Sequence, residues 1–225
     1  GKFWVWRRQE KMRKTLQLLL GLGLGFVLFG ATAQAQSPVA MVLSVGGEVT
    51  LEVQGKPIKV EPFSRLLEGD RVRLGRDGKV SFVYPRSGRQ ENWSGVGVVL
   101  TGDSESAAAS GKPSVEVKQL PNKVAQQMAR TPVSDTSGKA GMVRMRAIAT
   151  PENLASLEKQ VAKMRSEAAA NDRSPEVFWL AGLHDMGMID RLQEELVYLG
   201  KAYPNDEIIR SLAKAYARVI ATESK

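Results

Sequence analysis

Residues 66–84, LLEGDRVRLGRDGKVSFVY, decide the fold class. Apolar residues fall at every second position, at Val72 and Leu74 and again at Val80, Phe82 and Tyr84, which is the period of strands that bury one face. Between them lie two sets of turn residues. Leu66-Leu67-Glu68-Gly69-Asp70 predicts a tight corner, because Gly69 can take a left-handed conformation and the Asp70 carboxylate can bond to its own turn. Arg76-Asp77-Gly78-Lys79 predicts a hairpin joining the two strands.

Upstream, Met41-Val42-Leu43-Ser44-Val45 is followed by Gly46-Gly47 and then by Val49, Leu51 and Val53 alternating with polar residues. The pattern predicts two strands, or one strand kinked by a bulge at the glycines. Gly55-Lys56-Pro57 is expected to turn, and Ile58 and Val60 to start another strand. Downstream, residues 104–114 read as a flexible loop, Val115 and Val117 as a resumed strand, and residues 123–130 as a short helical turn. Residues 131–139 have the Ser, Thr, Pro and Gly content of a linker. Met142-Val143-Arg144-Met145-Arg146 then alternates as a strand returning to the sheet would. Short strands at this spacing predict a small sandwich or coil.

The pattern Gly47-x-Val49, then Leu66-x-x-Gly69-Asp70-x-Val72-x-x-Gly75-x-Asp77-Gly78-x-Val80-x-Phe82, resembles the core of the periplasmic FecR domain over about residues 39–100. The resemblance implies a β-rich domain outside the cytoplasm. FecR regulators of the transmembrane-signalling kind are similar to anti-sigma factors, with a cytoplasmic helical segment ahead of a single span. Eleven residues precede Met12, so that signalling role is not expected to carry over.

From Thr150 the period changes to that of helices. Thr150-Pro151-Glu152 supplies an N-cap, an N1 proline and an acidic first turn, with Leu154, Leu157, Val161, Met164 and Ala168 on one face. Ser174-Pro175-Glu176 repeats the start signal for a helix to about Met186, stopped by Gly187. Ile189, Leu192, Leu196 and Leu199 mark a third helix ending at Tyr203-Pro204, and Ile208, Ile209, Leu212, Tyr216 and Val219 a fourth. Helix pairs closed by Tyr-Pro resemble tetratricopeptide-type units, but the spacing is short for that repeat and a small helical hairpin bundle is expected. The fold class is therefore α+β. A FecR-like β domain (36–130) is followed by a linker with a closing strand (131–149) and a helical bundle (150–225), the two halves being expected to fold independently.

Residues 12–35, MRKTLQLLLGLGLGFVLFGATAQA, are built like a bacterial secretory signal peptide. Arg13 and Lys14 form the basic start, an apolar stretch follows, and Ala33-Gln34-Ala35 is a small-x-small cleavage site after which the mature chain begins at Gln36. An uncleaved membrane anchor is the alternative, weakened by four glycines and by the lack of a basic cluster beyond the stretch. Met12 is read as the true start. The first 35 residues hold six basic side chains against Glu10, so they carry +5 of the total charge of +8 and leave +3 for the rest. The basic balance is thus mostly leader and no argument for a nucleic-acid partner. Cysteine is absent, which removes disulfides, thiolate nucleophiles and lipid attachment at the cleavage site.

Candidate chemistry is sparse. His184, the single histidine, reads as a helix-end residue rather than a general base, and Glu194-Glu195 point to different helix faces. Arg71 and Arg73 share a strand face, and Arg76, Lys79, Arg86 and Arg89 follow, so a cationic strip able to bind an anionic polymer is one expectation. Trp93, Phe178 and Trp179 are candidates for partner contact, with burial in a core as the plainer reading. No catalytic residue, metal or cofactor is expected. The expected function is a periplasmic or secreted, non-enzymatic binding or scaffold protein whose partner is an envelope protein or an anionic cell-wall polymer. The alternatives are a membrane-anchored regulator and an envelope hydrolase.

Overall fold

The structure is a computed structural model that describes residues 36–133 and 147–223. The leader and the expected closing strand at Met142-Val143-Arg144-Met145-Arg146 lie outside the described residues. Ten strands come first: β1 (Ala40–Gly46), β2 (Val49–Val53), β3 (Lys56–Lys59), β4 (Arg65–Leu66), β5 (Arg71–Leu74), β6 (Lys79–Tyr84), β7 (Arg89–Ser94), β8 (Gly97–Thr101), β9 (Ser106–Gly111) and β10 (Ser114–Gln119). Five helices follow: α1 (Asn122–Met128), α2 (Pro151–Glu167), α3 (Ser174–Asp185), α4 (Ile189–Ala202) and α5 (Glu207–Glu223). The strands form two antiparallel sheets, one ordered β10-β7-β6-β1-β4 and the other β3-β2-β5-β8-β9. The α+β class is as the sequence predicts.

The deciding stretch folds differently from the hairpin it suggests. β5 and β6 belong to different sheets, so Arg76-Asp77-Gly78-Lys79 carries the chain from one sheet to the other. A two-residue period says that each strand buries one face, and both arrangements satisfy it. Here Val72 and Leu74 from one sheet meet Val80, Phe82 and Tyr84 from the other in a shared interior. The Gly69-Asp70 corner is a second crossing. Asp70 Oδ2 accepts the Leu67 N–H at 2.8 Å, and Gly69 N–H donates to Thr101 O at 2.8 Å. Burial pushes the Asp70 carboxyl above its ordinary value, and the Leu67 hydrogen bond opposes this.

The Gly46-Gly47 pair is a third crossing and separates two strands. Gly47 has φ +63°, and a Cβ there would lie 2.2 Å from the carbonyl oxygen of Asp77, so two corners pack backbone to backbone. The turn expected at Gly55-Lys56-Pro57 falls one residue earlier, at Gln54-Gly55, both with positive φ, which leaves Lys56 and Pro57 in β3. Pro57 is tolerated because β3 is an edge strand. The expected flexible loop at residues 104–114 is corrected as well. It contains β9, whose Ser-Ala-Ala-Ala-Ser-Gly sequence lacks strand-forming side chains and is held by pairing to β8.

Helices cover the other side of the first sheet. Met41, Leu43 and Val83 from β1 and β6, with Phe63 and Leu120, share a core with Val124, Val161, Leu180, Leu192 and Leu212. Helix α3 is buried along all twelve residues, its apolar middle packed all round and its buried Glu176 and Asp185 paired with Arg165 and Arg130. Thr150 caps α2 by accepting the Asn153 N–H at 3.1 Å, as its sequence predicts. The order is sheet, sheet, helices, with one core between each pair of layers. Independent folding of the two halves does not account for the second core. Nor does residue 131 begin a free linker, since Thr131 is fully buried and its carbonyl accepts from Arg65.

Candidate functional site

The first sheet shows an uneven face to the helices. Three rows of residues run across its strands in register. One is Met41–Val83–Gln90–Lys118, apolar on β1 and β6 and polar on β7 and β10. The next is Ser44–Ser81–Asn92–Glu116, and the last Gly46–Lys79–Ser94–Ser114. Neighbouring strands lie ~4.8 Å apart and alternate residues along one strand ~6.7 Å apart, so the β6, β7 and β10 parts make a grid of hydrogen-bonding groups. The apolar half packs on helices. The polar half stays open as a cleft of about 1030 Å³, roofed by the end of α2, residues 169–173 and the start of α3.

Polar groups in this cleft are partly uncommitted. Ser94 and Ser114 hydroxyls are 3.0 Å apart, and Lys118 Nζ lies 3.7 Å from Asp172 Oδ2. Gln90 is 5% exposed, and its Nε2 donates to Ser81 Oγ at 3.4 Å and to Asn92 Oδ1 at 3.5 Å, both long bonds. Its Oε1 is buried and accepts nothing. Turning the carboxamide over would strand Nε2 instead, so one end lacks a partner in either orientation. A buried polar atom without a partner costs free energy, and a site that keeps one marks a place for a ligand or water.

The residues singled out from sequence are not brought together. Arg71 and Arg73 do share an exposed face of β5, where Glu52 lies 3.5 and 3.8 Å from them. Lys79 is in the cleft, on the other sheet, and Arg76 is in the corner between the two. Arg86 pairs with Asp103, and Arg89 with Glu91 at 2.7 Å. The continuous cationic strip is therefore corrected, because the crossing at residues 75–78 puts its members on different layers. Trp93, Phe178 and Trp179 are 4%, 6% and 4% exposed, so as surface contacts they are corrected to core residues. Gln36, the expected first mature residue, is exposed and donates to the Glu68 carbonyl at 3.2 Å. His184 is buried near the end of α3, with Glu223 at 3.6 Å and the Tyr216 ring edge-on at 5.7 Å.

A second cluster was hidden from sequence reading. Glu91 is wholly buried, and its Oε1 accepts from Arg89 Nε at 2.7 Å and from the Ser106 N–H at 3.0 Å, while Oε2 accepts from Trp93 Nε1 at 2.8 Å. Beside it the Tyr84 hydroxyl shares a hydrogen bond with Ser106 Oγ. Both carboxylate oxygens are occupied, so this group ties β7 to β9 across the sandwich. Burial above all, with the charge of Glu91 adding to it, pushes the Tyr84 phenol up to about 12 from 10.0, against the lowering effect of the Ser106 bond. The unfolded chain then releases this proton near pH 10 and the folded one near 12, so folding loses support as pH rises through that window. Urea midpoints should fall between pH 10 and 12, and Tyr84→Phe should flatten the fall. An unchanged profile in that variant would contradict the assignment.

Among the described residues no three His, Asp or Glu side chains converge to hold a metal ion, and no helix is long and apolar enough to cross a membrane. No protein-family model, curated protein or solved structure matches the chain.

Proposed function

We propose that the protein is a non-enzymatic binding or scaffold module of the bacterial envelope, periplasmic or secreted, built on a FecR-like β sandwich and binding through the cleft over β7 and β10. The export reading rests on the leader sequence, and the FecR reading on the turn and strand pattern of residues 39–100. One observation carries the binding reading. In one row the helix-facing side of the first sheet changes from apolar to polar, from Met41 and Val83 to Gln90 and Lys118. Beyond the buried Gln90 the polar part is only partly covered, with Asn92, Ser94 and Lys118 half-buried and Ser114 and Glu116 exposed. A face that served packing alone would stay apolar across the row.

Filling the cleft tests this. Asn92→Trp, in the middle row, should abolish co-sedimentation of the full chain with isolated cell envelopes at nearly unchanged melting temperature. Arg71→Glu with Arg73→Glu, on the far sheet, should leave it intact. Sedimentation that survives Asn92→Trp, or disappears with the arginine pair, overturns the reading.

A further inference from the structure

We infer that the cleft takes an uncharged glycan chain, an oligosaccharide of neutral or N-acetylated sugars laid across β7 and β10. The inference rests on the cleft being a binding site and adds the chemistry of what it binds.

Charge is the first discriminator. The cleft is lined by Lys79, Lys118 and Arg173 against Glu116, Glu167 and Asp172, a formal sum of zero. Arg173 is already bonded to Asp206 at 2.8 Å, and Lys118 faces Asp172. A polyanion would meet as many carboxylates as cations, and no steering field would favour it. An uncharged ligand loses nothing here.

Side-chain type is the second. Serine hydroxyls and the carboxamides of asparagine and glutamine both donate and accept. Sugar hydroxyls do the same, so each can be matched on a floor of Ser81, Gln90, Asn92, Ser94 and Ser114. The Gln90 Oε1 has no partner but is itself covered, so it becomes an acceptor for an O–H or N–H when the Gln90 side chain turns toward the cleft. An acetamido N–H or a sugar hydroxyl meets that need. A peptide would instead need apolar or aromatic anchor pockets for its side chains. The cleft does have apolar lining, at Leu43, Val177 and Ile208, but its floor on β7 is polar because Trp93 is buried with the sandwich core. The polar groups therefore favour a sugar, and a peptide is the competing class that the titration tests.

Size is the third. About 1030 Å³ lies at the upper end of small-molecule sites, which suits several linked sugar units better than one. Without an aromatic platform, hydrogen bonds alone hold the chain. Affinity is then on the order of 1 mM, or somewhat tighter for longer chains.

The full chain should be titrated calorimetrically with tetra-N-acetylchitotetraose and cellotetraose. A tetrapeptide of alanine and serine and a polygalacturonate oligomer serve as the competing classes. Saturable binding of either neutral tetrasaccharide, weakened about tenfold or more by Gln90→Leu, is expected. Ser114→Trp, at the exposed rim, gives the same loss without touching a buried residue, which covers the case of a Gln90 variant that folds poorly. Lack of binding by both tetrasaccharides overturns the inference, as does binding that neither variant weakens. Uptake of the peptide or the polyanion in their place also overturns it, while leaving the cleft as a binding site. Envelope sedimentation indifferent to Asn92→Trp would remove that reading as well.

Discussion

Trp179→Ala is expected to lower the unfolding free energy by about 3–5 kcal/mol, the usual cost of deleting a large buried aromatic. Trp179 is 4% exposed on α3, a helix with no solvent-facing side, and the Arg191 guanidinium lies 5.0 Å over its ring. Alanine would leave a void that the surrounding helices cannot close without moving off the sheet, since the same core holds Met41, Leu43 and Val83. The unfolding transition should stay single and cooperative, with both halves lost together. Urea denaturation followed by tryptophan fluorescence and by far-ultraviolet circular dichroism measures both points. A loss below about 1 kcal/mol would contradict the burial of Trp179, and separate transitions would restore two independent folding units.

Element types were largely readable from local chemistry, whereas the partners of each element were not. The four described helices after Thr150 start and stop close to their expected positions, but side chains cap only two of them, Thr150 and Asp206, while Ser174, expected as a cap, is the first helical residue behind Arg173. Strands with apolar alternation were equally visible. What period and turn chemistry cannot encode is which sheet a strand joins. Asp77-Gly78 turns the chain in a hairpin and in a sheet crossing alike, and only the pairing of β6 with β1 and β7 tells them apart. β9 carries no such signal, since alanine and serine have little strand preference and its structure comes from pairing to β8.

The candidate site was nearly illegible by the same logic. Arg71, Arg73, Trp93, Phe178 and Trp179 drew attention through size and charge, and the fold spreads or buries them. Gln90, Asn92 and Ser94 gave a faint signal. Arg89-Gln90-Glu91-Asn92-Trp93-Ser94 is a polar run, unusual for a strand flanked by β6 and β10 and covered on both faces at its middle. A strand of that kind has to place each polar side chain against a partner. Its odd alternation sends Gln90, Asn92 and Ser94 to the cleft, and Glu91 with Trp93 into the sandwich.

Glu91→Ala is accordingly expected to cost about 2–4 kcal/mol, chiefly for the two neutral donors left without an acceptor, since Arg89 is partly exposed and keeps Glu105 at 3.8 Å. Three donors would be stranded: Arg89 Nε, the Ser106 N–H and the Trp93 indole N–H, all now within 3.0 Å of the carboxylate. Glu91→Gln should cost less than alanine but still destabilise, because its NH₂ faces donors where an acceptor is needed. Adding Arg89→Ala to Glu91→Ala should cost less than the sum of the single changes, since the guanidinium, left with only Glu105 at 3.8 Å, is removed with its main partner. Denaturation midpoints measure each, and strict additivity, or a loss under about 1 kcal/mol for Glu91→Ala, would show that the carboxylate does not hold the sheets together. Gln90 and Glu91 are adjacent in sequence and face opposite sides of one strand, so their variants should separate cleanly. Glu91→Ala weakens the fold and spares cleft binding in the molecules that remain folded, whereas Gln90→Leu weakens binding and largely spares the fold. A one-residue slip of β7 would exchange the two results, which makes the pair of variants a direct check of its register.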